Sequence, residues 1–173
     1  VKERTPALRE RVVGAALELL EDGGVGAFTA RRVAAGAATS TPAVYELFGD
    51  KAGLVRELFF EGFRMLRLRL DQLDEPLDAR RGLADVVDAL RSFVGDHPVL
   101  AEVMFSRPFA DFDPGPEEAE AGRAVREFIV GRARHAVAVG AVAGDETDIA
   151  HVVLALAQGL AAQETAGWLG TSR

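Results

Sequence analysis

Cysteine is missing altogether from the 173 residues, which excludes disulfides, thiol nucleophiles and cysteine-bound metals and suits a reducing cytoplasm. Histidine is scarce. His97, His135 and His151 stand on separate segments, none with a carboxylate or second histidine at ligand spacing, so ordinary packed or solvent-facing histidines are expected and no metal. The longest uninterrupted apolar run, residues 136–144, falls far short of the roughly 20 residues a membrane helix needs, and the charged start VKERTPALRERVV does not read as a signal peptide. A soluble, cytoplasmic protein is expected. Strand-like alternation and internal repeats are both lacking, which leaves an all-α fold. The glycine-rich DGGVGAF closes a helical pattern instead of following a strand, so it reads as a helix stop and not as a phosphate cradle. No combination of serine, histidine and aspartate includes a nucleophile-bearing turn, so neither catalysis nor a cofactor is expected.

What is present is helix-forming material: 49% of the residues are hydrophobic, with alanine, leucine and valine prominent. Thr5 and Pro6 open a first helix that runs to about Asp22 and stops at Gly23-Gly24. A long helix from Asp50 to about Leu73 carries Leu54, Leu58, Phe63, Leu66 and Leu70 as an apolar stripe, with Gly62 inside it as a place for close packing or a bend. Further helices are expected over about 78–95, from His97-Pro98 to Phe105, over about 116–142 and over about 146–168, with RPFADFDPGPEE as a loop.

The densest signal lies between Phe28 and Leu58, FTARRVAAGAATSTPAVYELFGDKAGLVREL. Two short apolar-periodic segments, one with Val33, Ala34 and Ala37 and one with Val44, Leu47 and Phe48, have only Ala38-Thr39 between them. Thr29 and Ser40 are placed to cap them, Pro42 falls in the first turn of the second, and Asp50 caps the next helix after a bend at Gly49. This is a helix-turn-helix pattern. Charge is divided in keeping with it: residues 1–56 hold eight Lys/Arg against seven Asp/Glu, net +1, so residues 57–173 carry −8. In this reading Arg9 and Arg11 are surface charges, while Lys2 and Arg4 are candidates for backbone phosphates.

Residues Thr29 to Leu58 resemble the DNA-binding motif of the TetR family of transcriptional regulators, with the pattern falling on Val33, Ala34, Ala37, Ala38, Ser40, Val44, Tyr45, Phe48, Lys51 and Leu54. Two positions depart from it: Ala38 stands where glycine is usual, and Thr39 where the family mostly has an apolar residue. The resemblance implies base or base-methyl contacts from Thr41 and Pro42, a guanine contact from Arg31, phosphate contacts from Thr29, Tyr45 and Lys51, and a further contact from Ser40. The chemistry is compatible, because arginine bonds guanine in bidentate fashion and Lys51 stands at a helix N-terminus that favours an anion.

HPVLAEVMFSRPF, Ala157-Gln158-Gly159-Leu160 and Gly167-Trp168 resemble the C-terminal half of one subgroup of the same family, with Gln158 where histidine usually precedes the glycine. The expected organisation is a helix-turn-helix domain over 1–53 and a helical effector-binding and dimerisation domain over 54–173. Phe63, Met104, Phe105, Phe109, Phe112 and Trp168 are candidates to line a pocket for a small, largely apolar effector, although any one of them serves equally well as core. The resemblance implies a ligand-responsive repressor that binds near-palindromic double-stranded operator DNA as a homodimer; the length of the last two helices and their small residues Ala133, Ala136, Gly140, Ala157 and Ala161 place the pairing face there. A protein-interaction module whose helix-turn-helix no longer reads DNA is the alternative, given the short side chains of the recognition helix.

Overall fold

A computed structural model describes residues 4–76, 78–106, 109, 110 and 112–169, without the side chains of Arg4 and Thr5. The expectations for Lys2, for the Arg4 guanidinium and for Thr5 as a cap therefore lie outside the described residues. The described residues form eight α-helices and no strand. They divide into two units, Val1–Gly62 with His97–Glu118, and Phe63–Asp96 with Ala119–Arg173.

In the first unit α1 (Arg4–Ala27) packs on α2 (Ala30–Gly36) and on α6 (Pro98–Phe105), and α2 packs on α3 (Thr41–Phe48). The glycine stop is where the sequence puts it: Gly24 breaks α1 internally with φ 67° and ψ −177°, a backbone region essentially restricted to glycine. Val12, Ala16 and Leu20 of α1, spaced four apart, are fully buried with Val33, Val44 and Leu58. The unit extends past the expected boundary at residue 53, to Gly62 on α4 (Lys51–Asp71), and takes in α6. Gly62 supplies the physical reason. A Cβ there would lie 2.5 Å from Met104 Sδ, so the missing side chain lets α6 close on α4. His97 makes no side-chain cap bond to α6; instead the Glu21 carboxylate of α1 accepts from the backbone N–H groups of Val99 (3.4 Å) and Leu100 (3.3 Å), at the end of the helix dipole that favours negative charge.

In the second unit α5 (Ala79–Asp96) packs along α8 (Glu146–Thr165). The buried α5 stripe of Leu83, Val86, Leu90 and Phe93 faces an α8 whose interior positions are Ala150, Val153, Ala157 and Ala161. Arg91 joins the two helices by a bidentate pair with Glu164 (Nε to Oε2, 2.6 Å), and that hydrogen-bonded charge holds the Glu164 carboxyl below its ordinary value against a smaller opposing effect of burial. Phe63 lies half-buried over Gly122 of α7 (Pro116–Ala138), where an added Cβ would come to 3.4 Å of the ring. The expected span of α7 to about 142 is too long. Gly140, at φ 69°, ends it in a left-handed turn. Ala133, Ala136, Ala157 and Ala161, expected to face a second subunit, are 0–2% exposed within the chain itself, so they serve its own interior.

Candidate DNA-binding site

The local chemistry of the helix-turn-helix matches its sequence signals one by one. Thr29 Oγ1 accepts from the Arg32 N–H (3.3 Å), Ser40 Oγ from the Ala43 N–H (3.3 Å) and Asp50 Oδ1 from the Gly53 N–H (2.8 Å). Each satisfies one of the N–H groups that a helix start leaves unpaired. The turn after α2 closes with the Ala38 N–H on Ala35 O (3.2 Å) and the Thr39 N–H on Ala34 O (2.9 Å), a Schellman pair. Its left-handed position is Ala38, at φ 50°, the one non-glycine residue with positive φ among the described residues.

On α3 the exposed positions are Pro42, Tyr45 and Glu46, spaced as one helical face, while Val44 points into the core. Thr41 is half-buried on the flank of that face, and Ser40, just before the helix, is exposed. Thr29 and Arg31 are exposed at the start of α2, and Arg31 makes no ion pair among the described residues. Lys51, half-exposed, is the first residue of α4; its Nζ lies 5.1 Å from the centroid of the Phe109 ring. The seven expected DNA-contact residues thus fall on the starts of α2, α3 and α4 and on one side of α3.

Three further residues shape this site. Arg9 is more than a surface charge: it pairs with Glu57, donates to Leu47 O (3.4 Å) and stacks 4.7 Å from the centroid of Phe48, so it ties α1 to the end of α3 and to α4. A Cβ on Gly53 would lie 1.9 Å from Phe48 O, so only glycine permits the tight junction from α3 into α4. Glu118, 2% exposed, accepts from the Gly115 N–H (2.7 Å) and has Arg56 Nε 2.5 Å from Oε1, an approach by charge whose geometry falls short of a hydrogen bond. Burial pushes this carboxyl up, but the N–H groups of Glu118 and Gly115 and the Arg56 guanidinium outweigh it and hold the carboxyl below its ordinary value. Nothing in the local sequence pattern singles out Gly53, and nothing local marks the partners of Arg9 or Glu118.

Of the six expected effector-site residues, four belong to the first unit and two to the second. Met104, Phe109 and Phe112 are buried in the first unit, where Phe109 packs on Phe28 (ring centroids 5.4 Å apart) and Phe112 on Phe59 (5.6 Å). Phe105 is half-buried on α6 in the same unit. Phe63 and Trp168 belong to the second unit, Trp168 being 78% exposed beyond the end of α8. That unit carries an open groove of ≈ 660 Å³ lined by Arg67, Glu75, Phe128, Arg132 and His135 among others, none of them expected from the sequence. Its two arginines stack on Phe128 and are paired with Asp71 and Glu75. Among the described residues no group of three or more His, Cys, Asp or Glu is placed to hold a metal ion, and no helix is long and apolar enough to cross a membrane.

Residues 12–58 match the model for bacterial regulatory proteins of the tetR family, and residues 83–173 that for the tetracyclin repressor-like C-terminal domain. No curated protein matches the chain significantly. Among solved structures, a protein of unknown function from Rhodococcus sp. RHA1 is 29% identical, with a TM-score of 0.83 over 96% of this chain and 87% of its own. A regulatory protein in the tetR family from Rhodococcus RHA1 is 22% identical (TM-score 0.71; 90% and 83% covered). BioQ, solved with its natural double-stranded DNA operator, is 24% identical (TM-score 0.64; 90% and 86% covered).

Proposed function

The chain belongs to the TetR family of DNA-binding transcription regulators, and from that premise we propose that it is a repressor, binding a near-palindromic operator as a homodimer in the cytoplasm and released by a small, largely apolar effector. The observation that carries the DNA arm is the placement of Thr29, Arg31, Ser40, Pro42 and Tyr45 as exposed residues beside three capped helix starts, with Lys51 at the first position of α4. Thr41 joins them from the flank of α3. In this reading Pro42 and Thr41 meet base methyl groups, Arg31 reads guanine, and Thr29, Tyr45 and Lys51 hold phosphates.

Support for the homodimer is the outward face of α8, where Val152 is 65% and Leu156 50% exposed, one turn apart, with Gly159 and Ala155 beside them. An exposed face of this kind, apolar and lined with small residues, suits pairing with its own copy across a two-fold axis. Two recognition helices must then stand about 34–36 Å apart, or a multiple of one DNA turn, so an effector that alters their separation lowers affinity without touching a contact residue. Continuous α4, with Lys51 in the first unit and Phe63, Leu66 and Leu70 in the second, supports it as the lever. A ligand at Met104, Phe109 or Phe112 has to displace buried neighbours, which leaves half-buried Phe63 and Phe105 and exposed Trp168 as the more accessible of the expected positions.

The test is binding to the DNA upstream of the chain's own gene at several salt concentrations. Lys51→Ala should weaken binding to every sequence and flatten the logarithmic salt slope by about 0.9 per bound subunit, whereas Thr41→Ala should cost about 1–3 kcal/mol on the true operator alone. An interaction module that does not read DNA would show neither effect. For the effector arm the check is reciprocity: saturating operator must weaken effector binding by the same factor by which the effector weakens operator binding.

A further inference from the structure

We propose that Phe109 is a positioning residue for DNA binding, its ring seating the Lys51 ammonium for a backbone phosphate; this rests on the reading of Lys51 as a phosphate contact. A lysine on a flexible four-carbon stem loses much freedom when it is fixed on a phosphate, so a site gains by holding it in place beforehand. A carboxylate would hold it but cancel its charge. An aromatic face attracts the ammonium through its quadrupole and leaves the net charge intact, with N–H groups on the far side still able to donate.

Both halves of that arrangement are present. Lys51 Nζ stands 5.1 Å from the Phe109 centroid, and Lys51 makes no ion pair among the described residues. The ring is only 6% exposed and is backed by Phe28, itself 1% exposed and directly before Thr29, so the platform is anchored in the core of the helix-turn-helix. Arg9 provides the contrast within the same unit. It also lies over a ring, that of Phe48, but Glu57 neutralises it, as suits a brace and not a phosphate contact. Phe109 comes from the segment after α6, so residues far along the chain from the helix-turn-helix set the position of its phosphate-binding lysine. Displacing that segment would weaken DNA binding even on an isolated half-site, where helix spacing plays no part.

The experiment is a double-mutant cycle in the full chain, with Lys51→Ala, Phe109→Leu, the double variant and Phe109→Tyr, read as affinity for one fixed random-sequence duplex across a salt series. A random duplex suffices because phosphate contacts are indifferent to sequence. Phe109→Leu should weaken binding roughly two- to five-fold per bound subunit with its salt slope unchanged, Phe109→Tyr should restore it, and Phe109→Leu should have no further effect once Lys51 is alanine. Where Phe109→Leu perturbs the fold, mono-, di- and trifluorophenylalanine at this position weaken the ring face with little change of shape. Affinity should then fall stepwise in the Lys51 protein and stay flat in the Lys51→Ala protein. An equal loss from Phe109→Leu or fluorination in both backgrounds overturns the proposal, and so does tighter binding, which would mean that the ring holds Lys51 away from DNA. If Lys51→Ala alone leaves affinity and slope unchanged, the phosphate reading of Lys51 fails first, and that failure is visible without touching Phe109.

Discussion

Replacing Ala38 by glycine should stabilise the protein although it adds no contact. Three helix ends share one closing pattern. At α7 Gly140 N–H bonds Val137 O and Ala141 N–H bonds Ala136 O; at α8 Gly167 N–H bonds Glu164 O and Trp168 N–H bonds Gln163 O; at α2 the same two bonds run from Ala38 and Thr39. The left-handed position has φ 69°, 76° and 50° respectively, and only at α2 does it carry a side chain. A Cβ in that conformation costs about 1–2 kcal/mol, whereas glycine brings about 0.5–1 kcal/mol of extra unfolded-state entropy. Ala38 is exposed, so its methyl group contributes little packing, and the net gain from Ala38→Gly is about 0.5–1 kcal/mol. With a urea m-value of about 2 kcal/mol/M the midpoint should rise by about 0.3–0.5 M at constant m. Tyr45 on α3 and Trp168 after α8 are the sole tyrosine and tryptophan, so their fluorescence reports the first and second units separately. The gain should appear at Tyr45. Gly140→Ala, in a position where a Cβ meets nothing within 4 Å, serves as the mirror and should lose a comparable amount in the second unit. A midpoint that falls or stays put for Ala38→Gly while Gly140→Ala is destabilised would refute the argument that Ala38 carries backbone strain.

Other substitutions probe separate parts of the structure. Gly53→Ala should cost about 1–3 kcal/mol and weaken DNA binding on all sequences, since the new Cβ must push α4 off Phe48 O; unchanged urea melts would disprove the tight junction. Glu118→Gln should cost about 1–3 kcal/mol at neutral pH through loss of a buried, charge-assisted partner. Because the folded carboxyl is held below its ordinary value of 4.5, that contribution is fully present above about pH 4.5 and fades as the pH falls through the lower folded value. Stability against pH should therefore be flatter on the acid side in Glu118→Gln than in the parent, and parallel acid limbs would contradict the assignment. Val152→Glu should convert a dimer to a monomer in sedimentation at micromolar concentration, with the far-UV spectrum unchanged; a dimer that persists places the interface elsewhere.

Helix positions, caps and the helix-turn-helix were legible in the sequence because each depends on residues a few places apart. Thr29, Ser40 and Asp50 cap the N–H groups three residues on, and the spacing of Val33 with Ala37 or of Leu54 with Leu58 marks the buried face of a helix without reference to anything distant. Even the odd residue in the turn, Ala38, was visible as a departure, though not its φ of 50°. Tertiary structure alone decided which distant pieces meet. Local periodicity says that Phe109 and Phe112 are apolar but not that one packs on Phe28 and the other on Phe59, so pocket and core were indistinguishable until their neighbours were in place. The same holds for the alanines of α7 and α8: small residues permit close approach on either side of a helix, and only the packing of the chain assigned Ala133, Ala136, Ala157 and Ala161 to its own interior. The seat of Lys51 on Phe109, the Glu21 cap on α6 and the hold of Arg56 on Glu118 all join residues far apart in sequence. No short-range pattern encodes such pairs, because their geometry exists only once the intervening helices have packed.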